Sequence, residues 1–120
     1  MKTFILCALF CLISVVTVSA ESGSISVYNS GGFISQFYVE WENKDGKLEK
    51  GDSEAYPLGM NKTINIPDGA KNVKLKVVNW IFFGHSADIF NESFLGPVTK
   101  CYKIWGVSLD PRHAEIPCQT

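Results

Sequence analysis

Apolar and polar residues alternate in short runs along most of the chain. Because successive side chains of a strand point to opposite faces, this period of two predicts β-strands. In the clearest run, residues 33–43, Phe33, Phe37, Val39 and Trp41 share one face, and polar side chains take the other. No long segment has the spacing of an amphipathic helix. The pattern therefore predicts an all-β fold.

Turn residues separate the runs into six or seven predicted strands. Asp45-Gly46 favours a tight hairpin, and Pro67-Asp68-Gly69 favours a second turn. Segment 82–94 has no clear alternation and is expected to be irregular, and Pro57 limits segment 55–58 to a sheet edge at most. The confident strands are 24–29, 33–43, 63–66, 72–80 and 102–109. This spacing predicts a two-sheet β-sandwich of about 6–8 strands.

The N-terminus has the pattern of a secretory signal. Lys2 precedes a nearly unbroken apolar run, 4–18, and Val18 and Ala20 place small side chains at the positions that signal peptidase requires. An N-terminal membrane anchor is the alternative, but no cationic cluster follows the run. We therefore expect a signal peptide at 1–20, a single mature domain at 21–120, and an extracellular location.

Secretion changes the interpretation of the cysteines and of two sequons. Two of the four cysteines lie in the predicted signal, which leaves Cys101 and Cys118. In an oxidising compartment these two most simply form one disulfide, although an interchain bridge or free thiols remain open. In a eukaryotic host, Asn61 and Asn91 are possible N-glycosylation sites, because each begins an Asn-X-Ser/Thr sequon.

Charge and candidate chemistry argue against nucleic-acid binding and against catalysis. After cleavage 10 basic and 12 acidic residues remain, a net charge near −2, whereas nucleic acid favours a basic face. His85, Ser86 and Asp88 are close in sequence, but no nucleophile elbow accompanies them, so a solvated loop explains them better. Two histidines without metal-ligand spacing indicate no metal site. We expect no cofactor and no enzyme activity.

One exposed strand face could serve other chemistry. Glu40 and Glu42 share it and could pair as glycosidase carboxylates do, although solvated charges are commoner there. Gln36, Tyr38 and Glu40 stand two residues apart and could form a ledge for a sugar. A carbohydrate or protein partner therefore remains an alternative.

Four segments, in order, resemble the C-terminal β-sandwich domain of the thiol-activated, cholesterol-dependent cytolysins. They are SGGFISQFYVEW at 30–41, KDGK at 44–47, TINIP with NVKLKV at 63–77, and IWGVSLDP at 104–111. The resemblance implies a four-stranded sheet packed on a smaller one, with membrane-facing loops at one tip. In that family the domain docks on cholesterol-containing membranes, whereas pore formation belongs to other domains.

The family's functional motifs match this chain in part. Its Thr-Leu pair, the sterol contact, falls on Ser108-Leu109, which keeps a hydroxyl and a leucine. Its Trp-rich loop is replaced by NWIFFG at 79–84, without the cysteine, the run of tryptophans or the closing arginine. The alternative is a purely structural role, in which Ser108 is a turn residue and Leu109 is a core residue.

The aromatic run Trp80, Ile81, Phe82 and Phe83 is the other candidate site. Four successive large apolar side chains cannot all face inward from a strand, so at least two should be exposed or covered. Segment 90–95 could cover them as a satellite core. Otherwise this run and Ser108-Leu109 would bind a membrane surface, a sterol or a glycan. The alternative is an interaction module that keeps the fold without membrane affinity.

Overall fold

The computed structural model describes residues 22–82 and 84–118, and only the backbone of Phe82. The predicted signal peptide at 1–20 and the side chains of Phe82 and Phe83 therefore lie outside the described part of the molecule. Within that part, no helix is long and apolar enough to cross a membrane.

The described chain forms a sandwich of two sheets whose strand pairs are mostly antiparallel. Sheet 1 has the strand order β4-β1-β7-β8, with β1 and β7 parallel, and sheet 2 has the order β3-β2-β5-β6. The predicted all-β sandwich is confirmed, and each sheet has four strands, so neither is smaller. The strands are β1 (Gly23–Asn29), β2 (Ile34–Glu42), β3 (Leu48–Asp52), β4 (Asn61–Ile66), β5 (Lys71–Phe82), β6 (His85–Phe94), β7 (Thr99–Val107) and β8 (Asp110–Ile116).

Three sequence predictions about strands are wrong, and all three concern sheet edges. The strand near 55–58 lies instead at Leu48–Asp52, the supposedly irregular segment 82–94 contains β6, and β8 follows Asp110 where the last strand was expected to end. β3, β6 and β8 are edge strands whose side chains are mostly exposed on both faces. Such strands need little apolar alternation, which is why the pattern did not identify them.

The core lies between the sheets and includes the apolar face predicted for residues 33–43. From β2 and β5 it takes Phe37, Val39, Val73, Leu75 and Val77, and sheet 1 supplies Ile25, Val27, Ile64, Ile66, Tyr102 and Ile104. Full burial of one such apolar side chain stabilises the fold by about 1.5–3 kcal/mol. The two-residue period therefore determines which faces meet.

A disulfide joins Cys101 of β7 to Cys118 just after β8, with a Cα–Cα distance of 5.2 Å. The predicted intrachain pairing is confirmed. The tail that it ties down is itself a strand, and the bond closes the β7–β8 hairpin near its open end. For a sequence separation of 17 residues, loop closure contributes about 3 kcal/mol in the chain-entropy model.

Strand directions place the connecting loops at two opposite ends of the sandwich. Gly46 and Gly69 sit in two turns at one end with φ of +82° and +81°, which confirms both predicted glycine turns. We call that end the base, and it comprises 43–47, 67–70 and 95–98. The opposite end, the tip, comprises 30–33, 53–60, Gly84 and 108–109.

Candidate functional site at the tip

The tip brings together the two segments that the sequence identifies as candidate binding elements. Trp80 and Ile81 lie near the end of β5 in sheet 2, and Ser108-Leu109 forms the turn between β7 and β8 in sheet 1. Asn79, which is 0% exposed, donates a hydrogen bond from its side-chain nitrogen to the backbone oxygen of Ser108 at 2.8 Å. The two segments are therefore adjacent across the sandwich.

Trp80 is held on the outer face of sheet 2. Its indole nitrogen donates to Oε1 of Gln36 at 3.0 Å, and Nε2 of Gln36 donates to Oδ1 of Asp52 at 2.7 Å. Trp80 and Ile81 are both half-buried, and Trp80 stands opposite Ile34 in the β2–β5 ladder. The indole is thus oriented by polar neighbours at the rim of the tip.

The satellite core that could have covered the aromatic run does not form from Phe90, Phe94 and Leu95. β6 runs from the tip to the base, and Phe94 pairs there with Val73. Phe90 belongs to the main core, with its ring centroid 5.0 Å from that of Tyr102. Leu95 is 90% exposed. None of the three covers the aromatic run, because β6, a strand of ten residues, leads away from the tip toward the base.

The β7–β8 turn presents its leucine to solvent. Leu109 is 86% exposed, so its interpretation as a core residue is wrong. Gly106, just before the turn, has φ of +98°, and a Cβ there would lie 2.5 Å from the backbone oxygen of Asp110. Only glycine accommodates both conditions. The tight hairpin that results projects Leu109 outward, with Ser108 half-buried behind it.

Three further exposed apolar residues at the tip escaped the sequence prediction. Ile34 begins β2, and Leu58 and Met60 lie in the 53–60 loop. We use the name apolar rim for these three together with Val107 and Leu109. Four of the five are single apolar residues beside polar or turn residues, and Ile34 follows Phe33, so only strand topology shows that they meet at one end. Backbone pairing of Gly32 with Val107 and of Ser35 with Tyr56 brings their loops together.

Buried polar side chains connect the tip loops beneath the rim. Nδ2 of Asn29 donates to the backbone oxygens of Phe33 and Tyr56 at 2.8 and 3.3 Å, and Oδ1 accepts from the nitrogen of Gly31 at 2.9 Å. The Tyr56 hydroxyl donates to the backbone oxygen of Val27 at 2.9 Å. Burial raises the pKa of Tyr56 well above its ordinary value. These bonds hold the 30–33 and 53–60 loops in fixed relation.

The other candidate groups do not converge on a catalytic arrangement. His85 and Ser86 are exposed on β6, a strand rather than the expected loop, and Asp88 lies 3.7 Å from the Lys76 ammonium. Glu42 accepts a hydrogen bond from Asn72 at 2.8 Å. Among the described residues, no cluster of three or more His, Cys, Asp or Glu side chains could hold a metal ion.

The suspected sugar ledge lies on the outer face of sheet 2. Lys50 places its ammonium 4.4 Å from the centre of the Tyr38 ring. Burial and the nearby Asp52 carboxylate both raise the pKa of Tyr38. An open groove of about 510 Å³ is lined by Tyr38, Glu40, Lys74 and Lys76, among other residues.

Both sequon asparagines are exposed on edge strands, one in each sheet. Asn61 begins β4, and the hydroxyl of Thr63 in the same sequon is 2.7 Å from the Ser26 hydroxyl. Asn91 lies on β6 and donates to Asp88 at 3.2 Å. Both positions are accessible, and glycosylation remains a prediction.

Comparisons with known proteins agree with this architecture. Seeligeriolysin of Listeria seeligeri is 25% identical over 115 residues, which are 85% of this chain and 22% of seeligeriolysin. The chain therefore spans about a fifth of the length of that relative. The membrane-binding domain of pneumolysin superimposes with a TM-score of 0.61 at 15% identity, covering 82% of this chain and 99% of that domain.

A disulfide-locked intermedilysin solved with human CD59 gives a TM-score of 0.60 at 18% identity, covering 82% of this chain and 24% of the toxin. The family model for the thiol-activated cytolysin β-sandwich domain matches residues 24–112, which include β2 to β7 completely, all of β1 but its first residue, and the start of β8. This chain belongs to the thiol-activated cytolysin β-sandwich domain family.

Proposed function

We propose that this chain is a secreted, non-enzymatic binding module that docks the tip of its sandwich on a lipid membrane. The observation that carries the proposal is the apolar rim. Of the eight large apolar side chains that are exposed in the described part of the chain, five lie in or beside the tip loops. Exposed apolar groups concentrated in one place are typical of protein or membrane contacts. The pneumolysin domain of the same fold, described as membrane-binding, supports the membrane as the partner.

Apolar burial, rather than charge attraction, would provide the binding energy. Removal of apolar surface from water contributes about 25 cal/mol per Å². The mature chain carries a net charge near −2, so it gains nothing from the negative surface of anionic lipids. Binding should therefore depend little on salt and on the content of anionic lipid.

Ser108 and Leu109 are the residues that would contact a sterol. They match the family's Thr-Leu pair in kind, with one hydroxyl and one leucine. Leu109 is free to enter the bilayer, and Ser108 lies just behind it. Trp80 and Ile81 would support this contact from the neighbouring hairpin, together with Phe82 and Phe83.

Two equally exposed leucines at opposite ends give a matched test. Leu109 is 86% exposed at the tip, and Leu95 is 90% exposed at the base. Leu109→Asp should weaken co-sedimentation with phosphatidylcholine–cholesterol vesicles by 10-fold or more, since an inserted carboxylate costs about 2 kcal/mol or more. Leu95→Asp should bind as the unmodified protein does. Equal binding by the two variants would exclude the tip as the docking surface.

A second candidate function rests on the outer face of sheet 2. The oriented Trp80–Gln36–Asp52 chain and the Tyr38 ring beside an open groove suit a carbohydrate, since aromatic rings and planar amides contact sugar rings and hydroxyls. A protein partner is the related option, because intermedilysin of the same fold has been solved with CD59. A glycan array probed with the protein and with Tyr38→Ala tests the sugar. Tyr38-dependent signals would support this function, and a blank array would remove it.

A further inference from the structure

The outer face of sheet 1 carries an open groove that includes no residue of the apolar rim. Its volume is about 600 Å³, and it crosses the sheet from Asn61 and Thr63 on β4 to Ile116 on β8. Among the described residues, those that line this groove carry no charged side chain. The groove on the outer face of sheet 2, in contrast, is lined by Glu40 and three lysines, among other residues. An uncharged occupant would therefore fit the groove of sheet 1 without desolvating a charge.

An exposed aromatic ring and two hydroxyls line this groove. Ile25 and Val27 of β1 face the core, so Ser26 and Tyr28, which alternate with them, face outward. Tyr28 is 37% exposed. The hydroxyls of Ser26 and Thr63 are 2.7 Å apart, and each keeps acceptor capacity beyond the one hydrogen bond that joins them. Aromatic faces and hydroxyls are the groups that sugars contact, so this lining suits a carbohydrate.

The chain itself brings an attachment point for a carbohydrate to this groove. Asn61 begins the sequon Asn61-Lys62-Thr63, and it stands directly opposite Tyr28 in the β1–β4 ladder. The Cβ atoms of such opposite residues are about 4.5–5.5 Å apart, so a sugar linked to the Asn61 side-chain nitrogen can reach the Tyr28 ring. Asn61 is exposed and lies on an edge strand of sheet 1, which leaves room for the attachment.

The second sequon lacks these features. Asn91 on β6 stands opposite Lys76, and its side-chain nitrogen donates to Asp88 at 3.2 Å. Tyr38 lines the same groove but lies on β2, one strand farther away, with the Lys50 ammonium 4.4 Å from its ring centre. A sugar at Asn91 would therefore meet charged side chains, which makes this sequon a matched control.

From these observations we propose that Asn61 carries an N-linked glycan whose first sugar packs on Tyr28 and covers the groove of sheet 1. The donor is a lipid-pyrophosphate-linked oligosaccharide of the eukaryotic secretory pathway. The Asn61 side-chain nitrogen forms a bond to the anomeric carbon of the sugar and loses a proton. The bond from that carbon to the pyrophosphate oxygen breaks, and the lipid pyrophosphate leaves with the electron pair.

The glycan and the apolar rim occupy different parts of the surface. Ile116 is the last residue of β8, whereas Leu109 precedes the first. A sugar chain that follows the groove from Asn61 toward Ile116 therefore leads away from the tip. The inference rests on the secretion that the proposed function includes, and it requires no membrane contact.

The first measurement is the occupancy of Asn61. The full chain is expressed in a eukaryotic secretory host, and the secreted protein is treated with peptide-N-glycosidase. This enzyme removes the glycan and leaves an aspartate in place of the linked asparagine. Peptide mass spectrometry should find that conversion at Asn61. Secreted protein without the conversion at Asn61 would overturn the inference.

The second measurement is the coupling between the glycan and Tyr28 in thermal unfolding. In protein from the secretory host, Asn61→Gln should lower the melting temperature by about 4 °C or more, the shift that a modest contact gives in a domain of this size. Asn91→Gln should leave it nearly unchanged. Tyr28→Leu should remove the effect of Asn61→Gln, whereas Tyr28→Phe, which keeps the ring, should retain it.

The same variants from a bacterial host that attaches no N-glycan give the baseline. There, Asn61→Gln should not change the melting temperature, which shows that the loss in the secreted protein comes from the sugar. Equal losses on Asn61→Gln with and without the Tyr28 ring would show that the glycan does not pack there, and would overturn the inference. Vesicle binding by the bacterially produced protein tests the membrane function by itself, so the two proposals can fail separately.

Discussion

The tip and the base of the sandwich are held together by different kinds of contact. At the tip, buried Asn29 and Asn79 bond backbone groups of neighbouring loops, and apolar side chains point to solvent. At the base, exposed Lys44 and Asp68 form an ion pair at 3.8 Å. The exposed leucines there, Leu48 and Leu95, adjoin opposite edges of sheet 2. The base is an ordinary solvated end, whereas the tip has a fixed backbone beneath an apolar surface.

This difference suggests how a small domain could keep apolar residues exposed without losing its shape. Loops that expose leucine and isoleucine gain little from burying their own side chains, so other contacts must fix them. Hydrogen bonds beneath the surface do this, because a buried polar group with no partner is costly and favours the one loop arrangement that satisfies it. Rigid loops also lose less conformational entropy on binding.

Two asparagines with the same role at opposite ends provide the strongest test of the comparison. Oδ1 of Asn29 accepts from the Gly31 nitrogen in a buried site, whereas Oδ1 of Asn43 accepts from Asp45 and Lys47 in solvent. Asn29→Ala leaves the Gly31 nitrogen and a buried carbonyl without this partner, so it should lower the free energy of unfolding by about 3 kcal/mol. Asn43→Ala should cost about 1 kcal/mol or less, since water replaces its bonds.

Urea denaturation of the two variants measures both values. Similar losses would show that the tip hydrogen bonds are no more important than those of the base, and the contrast between the two ends would fail. As a control, the slope of unfolding free energy against urea concentration should be the same for both variants, which shows that both expose the same surface area on unfolding.

The disulfide should have an effect on stability of similar size, without changing the tip. Cys101 and Cys118 close the β7–β8 hairpin at the end away from Leu109. Cys118→Ser with Cys101→Ser should lower the free energy of unfolding by about 3 kcal/mol, because the unfolded chain regains the entropy of an open loop. At temperatures where the double variant stays folded, its vesicle binding should match that of the oxidised protein. Reduced binding by the folded variant would show that the hairpin transmits changes from base to tip.

The residue pattern predicted the central strands, two turns of the base and two segments of the tip, but not the other exposed apolar residues that join them there. Phe37 and Val77 alternate with polar residues because each strand has one buried face, and Gly46 marks a turn by its conformational needs. Leu58 and Ile34 gave no such signal, because their role depends on which loops the topology brings together. Asn79 looked like an ordinary strand residue, since only the folded structure shows that its side chain bonds the β7–β8 turn.

A smaller effect on stability is expected at high pH, where one buried tyrosine at the tip and one in the body of the sandwich titrate. Burial, followed by Glu92 and Glu115, raises the pKa of Tyr102 in the body to about 12, and burial raises that of Tyr56 at the tip further. The ordinary pKa of a tyrosine phenol is 10.0, so each phenol contributes stability that is complete below pH 10 and is lost as the pH rises toward its folded pKa. The protein should therefore lose stability progressively above pH 10.

Tyr56→Phe removes the hydrogen bond to Val27 and the titrating hydroxyl together. Below pH 10 this variant should be less stable than the unmodified protein by about 1 kcal/mol. Above pH 10 the gap should narrow, because only the unmodified protein must keep the Tyr56 phenol neutral. Tyr102→Phe should also reduce the loss of unfolding free energy above pH 10. Because Tyr102 lies on β7 in the body of the sandwich, vesicle binding by this variant at neutral pH should be unchanged. The measurement is chemical denaturation from neutral pH to pH 11. A constant difference in unfolding free energy between Tyr56→Phe and the unmodified protein would mean that the Tyr56 hydroxyl ionises as readily in the folded chain as in the unfolded chain. The tip would then be looser than its buried hydrogen bonds imply.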